Sequence, residues 1–172
     1  EYAYFLMARD AGITMSPCRL LEENGRHHFM TRRFDRTSQG DKLHMQTLGA
    51  LAHFDFNQAG AHSYEQAFEI ARTLGLGTDI VEELFRRMLF NIIARNQDDH
   101  VKNIAFLMDR TGKWSLAPAY DITFSYQPDG QWTNAHQMSI NGKRDNFTFS
   151  DLKTAADTAG LKRGKAKELT QQ

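Results

Sequence analysis

The sequence has few of the features that mark secreted, metal-clustered or membrane-bound proteins. Cys18 is its only cysteine, so an intrachain disulfide and a C-x-x-C metal site are both excluded. Lysine plus arginine (21) equals aspartate plus glutamate (21), which removes the electrostatic argument for a nucleic-acid or acidic-membrane binder. No apolar run approaches the ~18–20 residues of a membrane span, and the start lacks the pattern of a signal peptide. We therefore expect a soluble, cytoplasmic protein that contacts neither a membrane nor nucleic acid directly.

The chain also lacks a starting methionine, and its last residues, KAKELTQQ, stop within a helical pattern. Its 172 residues are enough for one domain, so a single hydrophobic core is expected. Both termini resemble cuts through a longer chain. We therefore expect the function to depend partly on residues outside this sequence.

Three segments have apolar residues at spacings of three and four, which predicts helices over residues 1–11, 63–74 and 150–159. The second of these begins with Ser63 and has Gln66 three residues later, the pattern of a capping box.

The strongest helical pattern lies in the middle of the sequence. Apolar pairs recur every four residues from Ile80 to Ile93, which gives a stripe broad enough to be buried on more than one side. Thr78 or Asp79 is the predicted N-terminal cap of this helix. We expect it to be the central helix of the core.

Two β-hairpins are predicted. Residues 18–34 form strand-like runs around Asn24 and Gly25, a pair that favours a two-residue turn with positive φ. A second hairpin joins NIAFLM to KWSL through the turn DRTG, and Pro118 ends its second strand. The segment 123–146 has no periodicity and is typical of a functional or mobile loop. The fold class is therefore α+β and mainly α.

The stretch RNQDDHVKNIAF, residues 95–106, concentrates polar side chains between the central helix and the second hairpin. Asp98 is followed five residues later by Asn103, and Asp121 stands just past the far strand of the hairpin. The order aspartate, asparagine, hairpin, aspartate is the linear layout of a protein-kinase catalytic centre. The spacing therefore predicts a phosphoryl-transfer site.

The residue types suit that chemistry. Phosphoryl transfer needs positioning and charge neutralisation, and magnesium prefers one or two carboxylates together with phosphate oxygens and water. Asn103 and Asp121 are the predicted metal ligands, and Asp98 is the predicted base for a serine or threonine hydroxyl. His100 and Lys102, two and four residues after Asp98, are predicted to contact phosphate oxygens.

Other interpretations of this stretch are weaker. Aspartate and asparagine after a helix often form turns by bonding their own backbone, as expected for Asp109 in DRTG. A hydrolase metal site formed by Asp98, Asp99 and His100 is disfavoured, because the side chains of consecutive residues point in different directions. The other histidines, including His136, are scattered along the sequence and offer no further ligand pattern. Asp99 and Asn96 are left as loop-shaping residues.

The motifs NQDDHVKN and LAPAYDI, with RRFDR upstream and MSINGK downstream, resemble the C-terminal part of the HipA family of bacterial serine/threonine kinases. The resemblance covers most of the chain, 1–172, and implies a kinase-like helical lobe with a hinge β-hairpin and a catalytic-loop β-hairpin. It gives Asp98, Asn103 and Asp121 the catalytic and magnesium-binding roles and places His100 near the ATP phosphates. It also assigns purine contacts to the backbones of Arg32 and Phe34; the alternative for Phe34 is a plain core residue.

The resemblance implies further parts and partners. The Gly-rich phosphate loop and nucleotide-binding lysine of such kinases have no counterpart in this sequence, so we expect the piece alone to be weakly active or inactive. Family members are toxins neutralised by a HipB-type DNA-binding antitoxin, and some target aminoacyl-tRNA synthetases. The competing hypothesis is a non-catalytic, kinase-like module that contacts an antitoxin or another partner.

Overall fold

The protein's computed structural model describes residues 1–170, and within them it has six helices and five strands. No helix in that part of the chain is long and apolar enough to cross a membrane. The elements are α1 Tyr2–Asp10, β1 Cys18–Glu23, β2 Arg26–Thr31, β3 His44–Thr47, α2 Leu48–Ala52, α3 Tyr64–Thr73, α4 Thr78–Ile93, β4 Ala105–Met108, β5 Trp114–Leu116, α5 Phe149–Thr158 and α6 Lys165–Leu169.

Strands β1 and β2 form the predicted first hairpin as a separate two-stranded antiparallel sheet. Its turn residues Asn24 and Gly25 have φ values of 51° and 72°, the left-handed backbone that an Asn-Gly turn supplies. Most residues of both strands are exposed. The hairpin therefore projects from the helical body.

The second predicted hairpin, β4–β5, is present, and β3 adds a third antiparallel strand on its other side. The sequence did not predict β3 or α2, because each is too short to show its own periodicity. Thr47 ends β3 and caps α2, since its hydroxyl accepts a hydrogen bond from the Ala50 amide. The pairing of β3 with β4, rather than any local pattern, defines this part of the fold.

Helix α4 is central, as predicted, and is buried on more than one side. The predicted cap is wrong: Gly77 is the N-cap and no side chain caps the helix. The carboxylate of Asp79 folds back over Gly77, where a Cβ atom would lie 2.4 Å from Oδ1. Ile93 departs from the predicted stripe, because it is 69% exposed at the helix end.

The expectation of a single core is also corrected. The main core joins α3, α4, α5 and β4, with Phe68, Phe85 and Phe106 fully buried. A smaller second cluster packs α1 against the end of α4 and the segment after β5; its buried members are Ala8, Ile13, Phe90, Ala119 and Ile122. This second cluster supports the backbone on either side of residue 121.

The predicted loop 123–146 contains no helix or strand, but residues 136–140 are buried against the main core. Helix α5 begins one residue earlier than predicted, because Thr148 and Asp151 form its capping box. The predicted C-terminal helix is present as α6, and its last two predicted residues lie outside the described part of the chain.

Candidate active site

Asp98 and Asn103 lie on the irregular segment that links α4 to β4. The side chain of Asp98 is 47% exposed, so its carboxylate is accessible to solvent and to a ligand. The Asn103 side-chain amide donates to the Asp98 carbonyl at 2.9 Å, and the Asn103 backbone amide donates to the His100 carbonyl at 2.9 Å. Because its nitrogen is engaged in this way, the Asn103 side chain has its oxygen left as a ligand atom.

Helix α2 fixes the same segment through two backbone hydrogen bonds. The backbone amides of Leu48 and Gly49 donate to the carbonyls of Ile104 and Val101 at 2.8 Å and 3.0 Å. A Cβ atom on Gly49 would lie 3.1 Å from a methyl group of Val101, so the backbone of α2 approaches this loop closely. The loop is therefore fixed by an element that the sequence did not predict.

Asp121 follows the second strand of the catalytic-loop hairpin and has an exposed side chain. Its φ of 55° places a non-glycine residue in the left-handed region, a conformation that costs free energy and often marks a functional position. The neighbouring Tyr120 hydroxyl donates a short hydrogen bond to the Lys102 carbonyl. The segment that carries Asp121 is thus tied to the residue next to Asn103.

Arg87 of α4 fixes the backbone that leads from β5 to Asp121. Its buried guanidinium donates to the Ala117 carbonyl at 3.0 Å and forms an ion pair with Glu83 at 3.0 Å. Burial lowers the pKa of Arg87, and the Glu83 carboxylate opposes that effect. The central helix thereby fixes the backbone four residues before Asp121.

His100 and Lys102 lie beside Phe56, a residue that the sequence did not single out. The Lys102 ammonium sits 3.3 Å from the centroid of the Phe56 ring, a cation–π contact. The His100 ring meets Phe56 edge-on at 6.2 Å, and its buried Nδ1 has no hydrogen-bond partner within residues 1–170. His100 Nε2 lies 3.9 Å from Asp98 Oδ1. His100 and Lys102, the two residues predicted to contact phosphate, therefore both contact Phe56.

The predicted purine contacts lie after β2. The Arg32 amide donates to the Pro17 carbonyl at 3.0 Å, so that amide hydrogen is not available to a purine. The Phe34 ring packs against the Tyr120 ring, with centroids 5.3 Å apart. A small cavity of about 40 Å³ is lined by Phe29, Thr31 and Asp121 but not by Arg32 or Phe34. Residues of the hinge hairpin and Asp121 thus line the same small cavity.

Asp99 turns away from Asp98 and is buried, with its side chain 1% exposed. It accepts hydrogen bonds at 2.8 Å from the Tyr64 hydroxyl, from His136 Nδ1 and from the Gln137 amide. The histidine nitrogen must be the donor in this pair if the carboxyl is ionised, because a carboxylate only accepts. Burial, aided by the Asp99 charge, raises the pKa of Tyr64 well above its ordinary value. This network joins α3 and the catalytic loop to the buried part of segment 123–146.

Asn103 and Asp121, the predicted magnesium ligands, differ in the oxygen atoms that they offer. One carboxylate and one amide oxygen are hard ligands of the kind magnesium takes together with water and a nucleotide. No cluster of three or more histidine, cysteine or acidic side chains suited to a metal occurs within residues 1–170.

The pH dependence of the free energy of unfolding tests the buried position of Tyr120 beside Asp121. Burial, followed by the Asp121 charge, raises the pKa of Tyr120 from 10.0 to about 12. Between those values the unfolded chain loses this proton and the folded chain keeps it, so the free energy of unfolding should fall as pH rises. Because the ring is partly exposed, we expect a loss of about 1–2 kcal/mol.

Urea unfolding of wild type and Tyr120→Phe from pH 9 to 12 would measure this effect. The phenylalanine variant should be less stable below pH 10 and should show a shallower decline above it, with the remainder due in part to Tyr64. Identical slopes in the two proteins would contradict the assignment.

The structure places Asp98, His100, Lys102 and Asn103 on one loop and connects that loop to the residue before Asp121 through the Tyr120 hydroxyl. It adds four supports: Phe56, Arg87, the Asp99 network and α2. Tyr120 was within reach of sequence reasoning, because it stands in the PAYD motif beside Asp121. The Asp99 partners Tyr64 and His136 are 35 and 37 residues away along the chain, and no local pattern links them.

Comparisons with known proteins show the family and the fold of the chain. A family model described as HipA-like C-terminal domain matches residues 1–172. The chain is 28% identical over 126 residues to "Putative kinase Y4mE" of Sinorhizobium fredii, covering 67% of this chain and 30% of that protein. It is 30% identical over 136 residues to "Putative kinase Y4dM" of the same species, covering 76% of this chain and 32% of that protein. It thus spans about a third of the length of these relatives.

A solved structure shows the same fold. The HipA toxin–antitoxin system of Shewanella oneidensis MR-1, described as a complex of HipA, HipB and operator DNA, aligns with a TM-score of 0.82 and 19% identity. The alignment covers 99% of this chain and 45% of that one. The predicted family resemblance and the predicted fold class are both confirmed.

Proposed function

Because this chain belongs to the HipA-like C-terminal domain family and is kinase-like in sequence and fold, we propose that it is the C-terminal lobe of a protein serine/threonine kinase. The proposed reaction transfers the γ-phosphate of ATP to a hydroxyl of a protein substrate and depends on magnesium. Two hydrogen bonds to one loop carry the proposal: the Asn103 side chain donates to the Asp98 carbonyl, and the hydroxyl of Tyr120, the residue before Asp121, donates to the Lys102 carbonyl.

In this proposal Asp98 accepts the proton of the serine or threonine hydroxyl as that oxygen attacks phosphorus. Its exposure leaves the carboxylate free to meet a substrate, and the bond to its carbonyl fixes the backbone rather than the reacting group. Positioning of this kind is the main contribution a protein makes to phosphoryl transfer.

Asn103 and Asp121 would hold magnesium through the amide oxygen and the carboxylate. When bound, the ion neutralises charge on the phosphate oxygens. The left-handed backbone at Asp121 aims its side chain, and the bonds from Tyr120 and Arg87 keep that backbone in place. His100 and Lys102 would contact phosphate oxygens, which requires the Lys102 ammonium to leave or share its contact with Phe56.

Adenine recognition belongs to the hinge in this scheme. The Phe34 ring would form one wall of the purine site, and the remaining backbone groups of Arg32 and Phe34 would supply hydrogen bonds. The contact of Phe34 with Tyr120 couples the purine end of the site to the metal end. This supports a single nucleotide site that runs from the hinge to Asp121.

The partners belong to the proposal as well. The Shewanella structure contains HipA together with HipB and operator DNA, which supports a HipB-type antitoxin as the partner of the full-length protein. An aminoacyl-tRNA synthetase is the proposed type of substrate. The cytoplasm is the proposed location, since ATP and such a substrate are found there.

Calorimetric titration of the full-length protein with ATP tests the nucleotide site. We expect binding that weakens strongly when magnesium is replaced by a chelator, and a weaker dependence on magnesium in Asp121→Ala, because that variant loses a metal ligand. Asp109→Ala, which alters an exposed aspartate of the β4–β5 turn, is the control. Absence of any magnesium-dependent nucleotide affinity would instead favour the non-catalytic binding module.

A further inference from the structure

Phe56 is an exposed aromatic residue beside the loop that carries Asp98, and the proposed reaction assigns it no role. It is 40% exposed and lies on the segment between α2 and α3. Its ring contacts both Lys102 and His100. His100 Nε2 in turn lies 3.9 Å from Asp98 Oδ1. The ring is therefore separated from the proposed base by one side chain.

The backbone on both sides of Phe56 is held in place. The Asp55 carboxylate accepts hydrogen bonds from the backbone amide of Asn57 at 3.0 Å and from its side-chain amide at 2.9 Å. The Phe54 amide donates to the carbonyl of Gly49 in α2 at 2.9 Å. Because α2 also bonds the segment that links α4 to β4, one helix fixes the Phe56 backbone relative to the predicted phosphate contacts.

The Lys102 ammonium is held by the Phe56 ring and not by a carboxylate. Its Nζ lies 3.3 Å from the ring centroid, and Lys102 takes part in none of the salt bridges identified within residues 1–170. The ring attracts the ammonium through its quadrupole and has no net charge. The contact therefore orients the cation and leaves its charge available to an anion.

This arrangement favours binding of an anion by Lys102. A free lysine side chain has many rotamers, and their entropy is lost when the ammonium binds a ligand. A ring that already holds the ammonium removes part of that cost, whereas a carboxylate partner would compete with the anion for the same charge. The ammonium has three N–H donors, so the side that faces away from the ring can still donate to a phosphate oxygen.

We propose that Phe56 is a positioning residue, which orients the Lys102 ammonium toward a phosphate of bound ATP and shares the ammonium with it. This assignment rests on the proposed kinase function for the identity of the anion. It gives the segment between α2 and α3 a part in nucleotide binding.

Calorimetric titration of the full-length protein with ATP and magnesium, and separately with adenosine, tests this role. Phe56→Leu should weaken ATP binding about threefold to tenfold, the range expected for loss of one cation–π contact, and should leave adenosine binding unchanged. Phe56→Tyr keeps an aromatic ring and should bind ATP within about twofold of wild type. Phe149→Leu, at another exposed phenylalanine, is the matched control and should bind ATP like wild type.

The same titrations in a Lys102→Met background separate positioning from a structural effect. Methionine keeps an unbranched side chain and removes the charge, so Phe56→Leu should cause no further loss of ATP affinity there. Equal losses with lysine and with methionine at position 102 would show that the ring does not act through the ammonium. Equal losses for ATP and adenosine would show a general effect on the structure. Either result overturns the positioning role.

The remaining outcomes distinguish this assignment from the proposed function. ATP affinity that is unchanged in Phe56→Leu overturns the positioning role and leaves the proposed nucleotide site standing. Tighter ATP binding in that variant also overturns it, because the ring would then hold the ammonium away from the phosphates. Wild-type protein that binds no ATP overturns both the nucleotide site and the role of Phe56.

Discussion

Replacing Asp98 with asparagine in the full-length protein is expected to reduce phosphoryl transfer by about 10²–10⁴-fold, the usual contribution of a positioned general base. The substitution removes the proton acceptor and keeps the size of the side chain. It does not touch the Asp98 carbonyl, which is the group that Asn103 binds. Transfer from labelled ATP in the presence of magnesium measures the effect.

Stability should hardly change in the same variant. The Asp98 side chain is 47% exposed, and surface substitutions away from buried networks usually shift the free energy of unfolding by less than about 0.5 kcal/mol. Asp157→Asn, an exposed aspartate on α5, is the matched control and should retain activity. Activity of Asp98→Asn within about twofold of wild type would rule out Asp98 as the base.

Asp99→Ala, at the neighbouring position, is expected to lower the free energy of unfolding by about 3–5 kcal/mol. It leaves three buried donors without their acceptor: the Tyr64 hydroxyl, the His136 ring and the Gln137 amide. Unpaired buried groups are expensive because the unfolded chain bonds them to water. Such a loss is a large share of the 5–15 kcal/mol that stabilises a typical domain.

Urea unfolding of Asp99→Ala beside Asp98→Ala gives the sharpest comparison, because the two positions are neighbours in sequence and opposite in burial. Tyr64→Phe should cost less than Asp99→Ala, since it removes one bond from the aspartate. The double variant should then be less destabilised than the sum of the two. Equal unfolding free energies for the two aspartate variants would show that the network does not stabilise the fold.

Several elements were predictable because their information is local. The Ser63 capping box, the Asn24–Gly25 turn and the four-residue repeat of α4 are each contained in a short window, and each is present in the structure. The β4–β5 hairpin was predictable for the same reason. The α4 cap was mistaken, because side-chain type alone does not show which residue first leaves helical geometry.

The sequence by itself determined the longer helices, the two hairpins and the spacing that suggests a kinase, since helix periodicity, turn chemistry and motif order act over a few residues. Only the tertiary structure decided which of two adjacent aspartates is buried, that β3 and α2 secure the catalytic loop, and that Tyr120 connects Asp121 to Lys102. These contacts join residues far apart along the chain. Their free energy depends on burial and on the positions of several partners at once, and no local pattern encodes it.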